Sequence, residues 1–167
     1  MTNLKNHDIQ RFEAIVDQTQ DWLFRFAYMR VGVREDSEDL VQDTLLSLYN
    51  KLITGSEIED IRRYLLHSVS NACIDYHRRR RPERRSIEEI NDLPADEIDR
   101  EIHDEYIRIR RLLDGLPDEQ SEVVRLKCYD SLTFREISEL LDIPEATAKS
   151  RYRYAIAGLQ KKLNYGK

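Results

Sequence analysis

Side chains suited to meeting nucleic acid gather near the C-terminus. At about 100° per residue, Ala146, Thr147, Ser150, Arg153, Tyr154, Ala157 and Lys161 fall on one side of a helix, small groups first and basic or aromatic ones after. Small residues let a helix enter a major groove, where hydroxyl and guanidinium groups meet base edges or phosphates. Lys149 and Arg151 flank this side, within reach of phosphates or of acids in the same domain. A second constellation is Asp39, Gln42, Asp43, Leu46 and Asn50, an outer helical face on which a leucine stands among acids and amides, the composition of a docking surface or of one exposed leucine. The third is basic: His77 to Arg81 closes a helix, as a solvated terminus complementing the dipole or as a phosphate contact. Nothing resembles a catalytic centre, since there is no phosphate-cradling glycine loop, nucleophile constellation or metal cluster. His7, His67, His77 and His103 lack ligand spacing, and Cys73 and Cys128 stand too far apart in sequence to suggest a disulfide framework or thiolate site. Both cysteines are expected to be small buried hydrophobes, and neither a metal nor a cofactor is implied.

The elements that must carry these residues are all helical. Thr133 opens a short helix with Glu136 three residues on, a capping box, and Phe134, Ile137, Leu140 and Leu141 give it one apolar face. The pattern breaks at Asp142-Ile143-Pro144, because proline lacks the amide a running helix needs but suits the first turn of a new one. The next helix buries Ala148, Tyr152, Ala155, Leu159 and Leu163, with Ile156 at the edge, and the pair outlines a helix-turn-helix. Upstream, Phe12, Ile15, Val16, Trp22, Leu23, Phe26, Ala27 and Val31 predict one long or two shorter helices ended by Gly32, with Trp22 as a core anchor. Ser37 to Leu52 forms a helix with Val41, Leu45, Leu48, Tyr49 and Leu52 inward. After the break at Thr54-Gly55-Ser56, a third helix runs from about Ile61 to Arg80, burying Leu65, Leu66, Val69, Ala72, Cys73 and Tyr76. Helix resumes near Glu97, with Ile98, Ile102, Tyr106, Ile109, Leu112 and Leu113 on its face, and ends at Gly115. Leu116-Pro117-Asp118 starts another.

Composition agrees with a soluble helical protein: 167 residues, 35% charged, five glycines and four prolines. No apolar run approaches a membrane span and the N-terminus lacks a signal core, so a cytoplasmic location without membrane insertion is expected. The net charge of -5 argues at first against a nucleic-acid partner. Its distribution reverses this. Ser86 to Glu105 carries nine acids and one base, a net of -8, which leaves the remainder at +3; immediately before it, Arg78 to Arg85 holds six arginines and one acid. The expected fold is therefore all-α, with helical domains at 1–82 and 105–167 joined by an acidic linker at 83–104.

Two separated segments share one resemblance. Asp36-Ser-Glu-Asp-Leu-Val-Gln-Asp-Thr-Leu-Leu-Ser-Leu-Tyr resembles the polymerase-docking helix of bacterial sigma factors, and Asn71-Ala-Cys-Ile-Asp-Tyr-His-Arg-Arg-Arg the end of their promoter-melting helix. Leu116-Pro-Asp-Glu-Gln to Leu163 is similar to their C-terminal helix-turn-helix domain, and the absence of further domains between resembles the two-domain extracytoplasmic-function group. The resemblance implies that Asp39, Gln42 and Asp43, with Leu46 on the same face, meet the clamp of the largest subunit of core RNA polymerase, and that the flap of the second subunit is a further contact. It implies that residues 54–61 capture an unstacked base of the minus-ten element, that Asn71, Arg78 and Arg79 lie along that DNA, and that Thr147, Lys149, Ser150, Arg153 and Tyr154 meet the minus-thirty-five element. It admits an anti-sigma protein as a further partner. The acidic linker corresponds in place to a segment that threads polymerase channels, where an acidic strand suits a basic path. Tyr64 stands where the family usually has tryptophan, His67 and Ser70 where basic residues are common, and Tyr154 and Ile156 where arginines are frequent. Two other classes stay open on sequence alone: a dimeric regulator that binds DNA unaided, and an adaptor whose helices bind only proteins.

Overall fold

The computed structural model describes residues 2–80 and 97–166. Seven α-helices are present among them: α1 Thr2–Val31, α2 Arg34–Ile53, α3 Ile61–Arg79, α4 Glu97–Leu113, α5 Asp118–Val124, α6 Phe134–Leu141 and α7 Glu145–Tyr165. The stretch from Pro82 through Asp96, expected to be the irregular part of the acidic connector, lies outside the described residues, as do Arg81, Arg84 and Arg85. The chain divides into two compact units, 1–106 and 107–167.

In the first unit α1, α2 and α3 pack mutually. The N-terminal hydrophobic pattern resolves into one helix rather than two, stopped by Gly32 at φ +73, a left-handed value that only glycine adopts without penalty. Leu23, Phe26, Ala27, Met29, Leu48, Leu65, Val69 and Cys73 form the core. Trp22 is not in it: the indole lies half-buried at the edge, while smaller side chains fill the centre. Two buried hydroxyls that the hydrophobic pattern passes over, Ser37 and Thr44, bond back to the carbonyls of Val33 and Leu40 at 2.7 and 2.8 Å, which satisfies them inside the bundle.

The first half of α4 packs on this unit. Its buried residues are His103, Tyr106 and, continuing into the second unit, Ile107 and Leu113; Leu112 is exposed. Tyr106 and Leu113 of the predicted face are thus buried, but Leu112 is not, and His103 is added because Tyr28 offers it a buried partner, Oη to Nδ1 at 2.7 Å; Tyr106 closes over Gly32. A Cβ at Gly32 would lie 2.5 Å from the Tyr106 ring, so both the backbone angle and the packing require glycine there.

The second unit is built around Leu113, Val124, Ala155 and Leu159, with Ile109, Leu116, Tyr152 and Ile156 against them. After α5 the chain passes through a π-helical turn, Arg125–Tyr129, and at Ser131 takes a left-handed φ of 58. The capping box forms as read: Thr133 Oγ1 accepts from the Glu136 amide at 3.1 Å and Glu136 Oε2 accepts from the Thr133 amide at 2.7 Å. Asp142 ends α6 in the left-handed conformation, and Pro144 enters α7 at φ -59, so the break is three residues long. Leu163 is exposed, not buried, since α7 runs past the last residue it packs against. Cys73 is buried as expected, but Cys128 is exposed, its Sγ 3.6 Å from Tyr152 Oη.

Candidate nucleic-acid and polymerase interfaces

The outer face of α2 is built by what its inner face buries. Ser37, Val41, Thr44, Leu48 and Leu52 point to the bundle, which leaves Asp39, Gln42, Asp43, Leu46 and Asn50 exposed along one side. Leu46 is 57% exposed, a large apolar side chain held in water between carboxylates and amides. Arg34 is paired with Glu38 at 2.9 Å, so the strongest charge on this face is acidic.

The basic end of α3 sorts itself into two groups. Tyr76 Oη donates to Asp36 Oδ2 at 2.7 Å and Arg80 to the same oxygen at 2.9 Å, tying the end of α3 to the start of α2. Burial, and then the Asp36 carboxylate, push the Tyr76 pKa up to about 12. His77 Nε2 lies 2.6 Å from the carbonyl of Arg30. These side chains are structural. Arg78 and Arg79 instead face solvent, Arg78 pairing with Asp75 at 2.8 Å, and Asn71 is exposed about two turns earlier. Residues 54–60, between α2 and α3, are mostly exposed; Asp60 caps α3 by accepting from the Arg63 amide at 2.9 Å. Tyr64 lies under Lys51, whose Nζ is 4.9 Å from the ring centroid.

In the second unit Ala148 and Ala155 turn inward, so the opposite side of α7 presents Lys149, Arg153 and Tyr154, with Thr147 and Ser150 half-buried at its rim. Lys149 pairs with Glu145 at 3.0 Å along the helix, and Arg153 lies 5.6 Å from the Tyr154 ring centroid. Arg151, which flanks this side, is committed to Glu119 at 3.0 Å and serves the domain. Tyr154 is 61% exposed, a large planar side chain free of the core. Sequence alone does not separate Arg80 and His77 from Arg78 and Arg79, because the partners that separate them, Asp36 and the Arg30 carbonyl, are distant along the chain.

Two helical units carrying an acidic-apolar face, a basic helix end and a helix-turn-helix define the class. Residues 15–83 match sigma-70 region 2 and residues 106–157 match sigma-70 region 4, together more than two thirds of the chain. It is similar to the ECF RNA polymerase sigma factor SigW of Bacillus subtilis, with 26% identity over 96% of this chain and 92% of that one. Likewise, SigK of Mycolicibacterium vanbaalenii is 28% identical over 96% of this chain and 86% of its own. The fold is shared with the sigma factor RpoE of Bartonella quintana, solved in complex with the anti-sigma factor NepR, at a TM-score of 0.66 and 21% identity over 93% of this chain and 98% of that one. The chain belongs to the sigma-70 family, in its extracytoplasmic-function group, whose members are non-enzymatic initiation factors. A stand-alone helix-turn-helix regulator is not favoured, because region 2 accompanies region 4.

Proposed function

We propose that this sigma factor, acting in the cytoplasm, divides initiation among three surfaces. Residues 1–82 dock on the clamp of the largest polymerase subunit through Asp39, Gln42, Asp43 and Leu46, and engage the minus-ten element through residues 54–61 with Asn71, Arg78 and Arg79. Residues 105–167 meet the flap of the second subunit and read the minus-thirty-five element through Thr147, Lys149, Ser150, Arg153 and Tyr154. The acidic segment 83–104 connects them.

The observation that carries this reading is the outer face of α2: the bundle buries Val41, Leu48 and Leu52 on the other side and leaves Leu46 exposed beside Asp39, Gln42 and Asp43. An apolar centre with an acidic rim suits a helix pair with basic flanks, and docking would remove the leucine from water. The outward Arg78 and Arg79 suit phosphates, and extruding a base costs a few kcal/mol that such contacts can offset.

The test is a pair of charge variants. Asp43→Arg abolishes co-elution with core polymerase while the isolated protein keeps its helicity, because the residue is exposed. Arg153→Ala lowers promoter-specific transcription by roughly tenfold, the scale of one lost base or phosphate contact, and leaves polymerase binding unchanged. Unaltered polymerase affinity in Asp43→Arg refutes the docking assignment.

A further inference from the structure

Helix α3 buries Leu65, Leu66, Val69 and Cys73. Along its outward side, Arg63, His67, Asn71, Ile74 and Arg78 succeed one another at intervals of three or four residues, so they share one stripe. At 1.5 Å per residue the stripe is about 22 Å long, the reach of roughly six nucleotides at a rise of 3.4 Å each. Four of its members are polar or cationic. The fifth, Ile74, is 57% exposed, between Asn71 and Arg78.

The surroundings of Ile74 decide what can cover it. Arg78 and Arg79 follow it, and Asp75, the nearest acid, is engaged by Arg78 at 2.8 Å in a pair exposed enough to open at small cost. This neighbourhood suits an anionic partner. Along a nucleic acid, base edges display donors and acceptors that an alkyl group would leave unpaired, with one exception, the C5-methyl of thymine. We propose that Ile74 contacts the methyl group of a minus-ten thymine and contributes to the base preference of α3. Asn71 and Arg78 hold the strand on either side, and burying the methyl against the isoleucine removes both from water. The inference rests on the proposed placement of α3 on the minus-ten DNA and names a specificity contact within it.

The experiment uses holoenzyme assembled from core polymerase and the full chain, on a promoter that it opens. Each minus-ten thymine is replaced singly by deoxyuridine, which removes only the methyl group, and open-complex formation is measured for the wild type, Ile74→Val and Ile74→Ala. One position is expected to show about a fourfold loss in the wild type, the scale of one buried methyl. The same position shows a similar loss in Ile74→Val and none in Ile74→Ala, whose level on the unmodified promoter matches that of wild type on deoxyuridine. Undiminished sensitivity in Ile74→Ala at every thymine overturns the proposal, as does an element without thymine, or a loss of polymerase binding by Ile74→Ala. Asn71→Ala and Arg78→Ala separate the two levels. If both open the promoter normally, the placement of α3 itself fails; if they impair opening while Ile74→Ala keeps its methyl sensitivity, only the thymine contact fails.

Discussion

Asp36 joins two helix ends with one carboxylate, and the residues it holds serve the fold. Tyr76 and Arg80 both donate to it, so the arginine cluster contributes Arg78 and Arg79 to an outer surface and Arg80 to the fold. Because burial raises the Tyr76 pKa from its ordinary 10.0 to about 12, the folded state holds the phenolic proton more tightly than the unfolded chain. The resulting stability is fully present below pH 10 and is lost as pH rises through about 12. Denaturant melts across this window are expected to show a steeper alkaline loss in the wild type than in Tyr76→Phe, which at neutral pH is less stable by roughly 1 kcal/mol, one hydrogen bond. Parallel alkaline profiles would contradict the linkage. At this scale the sequence was legible where periodicity separates two faces of one helix, as for Asp39, Gln42, Asp43 and Leu46. It was illegible where a distant partner decides, as for His103 with Tyr28 and for Cys128, which helical spacing alone does not expose.

The element on which upstream recognition turns is α6, eight residues long and too short to persist without packing and caps. Its capping box satisfies two amides at the entrance to the helix-turn-helix, and Phe134 meets Tyr152 edge-on at 5.5 Å, fixing α6 against α7. Thr133→Ala is expected to cost about 1 kcal/mol, visible as a lower melting temperature, and to weaken promoter-specific transcription more than polymerase binding. Equal loss of both would place α6 in a general structural role. The box and the proline break were readable because capping is local chemistry. The inward stripe of α4 was legible only in part: Tyr106 and Leu113 are buried as their spacing predicts, but hydrophobicity favours Leu112, whereas Tyr28 on α1 selects His103. The π-helical turn of Arg125–Tyr129 likewise has no sequence signal in a run that reads as ordinary helix.

Over the whole molecule, charge is segregated. The stretch from Ser86 to Glu105 holds nine of the 32 acids in the chain, so a net charge of -5 coexists with outward cations on α3 and α7. That distribution suits a protein whose DNA-facing surfaces work within a larger assembly, where polymerase supplies the bulk of the phosphate contacts and the acidic segment discourages unassisted binding to bulk DNA. Among the described residues no helix is long and apolar enough to cross a membrane. The all-α class was legible from composition and periodicity, and the family from two spaced motifs. The residue partners that turn cations into either anchors or contacts were legible only in three dimensions.

The most direct measurement is run-off transcription from a genomic fragment library, with core polymerase, with and without this chain. Chain-dependent start sites sharing a two-part upstream element at one spacing are the predicted result, and the chain alone should retain none of those fragments. Absence of chain-dependent start sites, or selective retention of the same fragments without polymerase, would contradict the account.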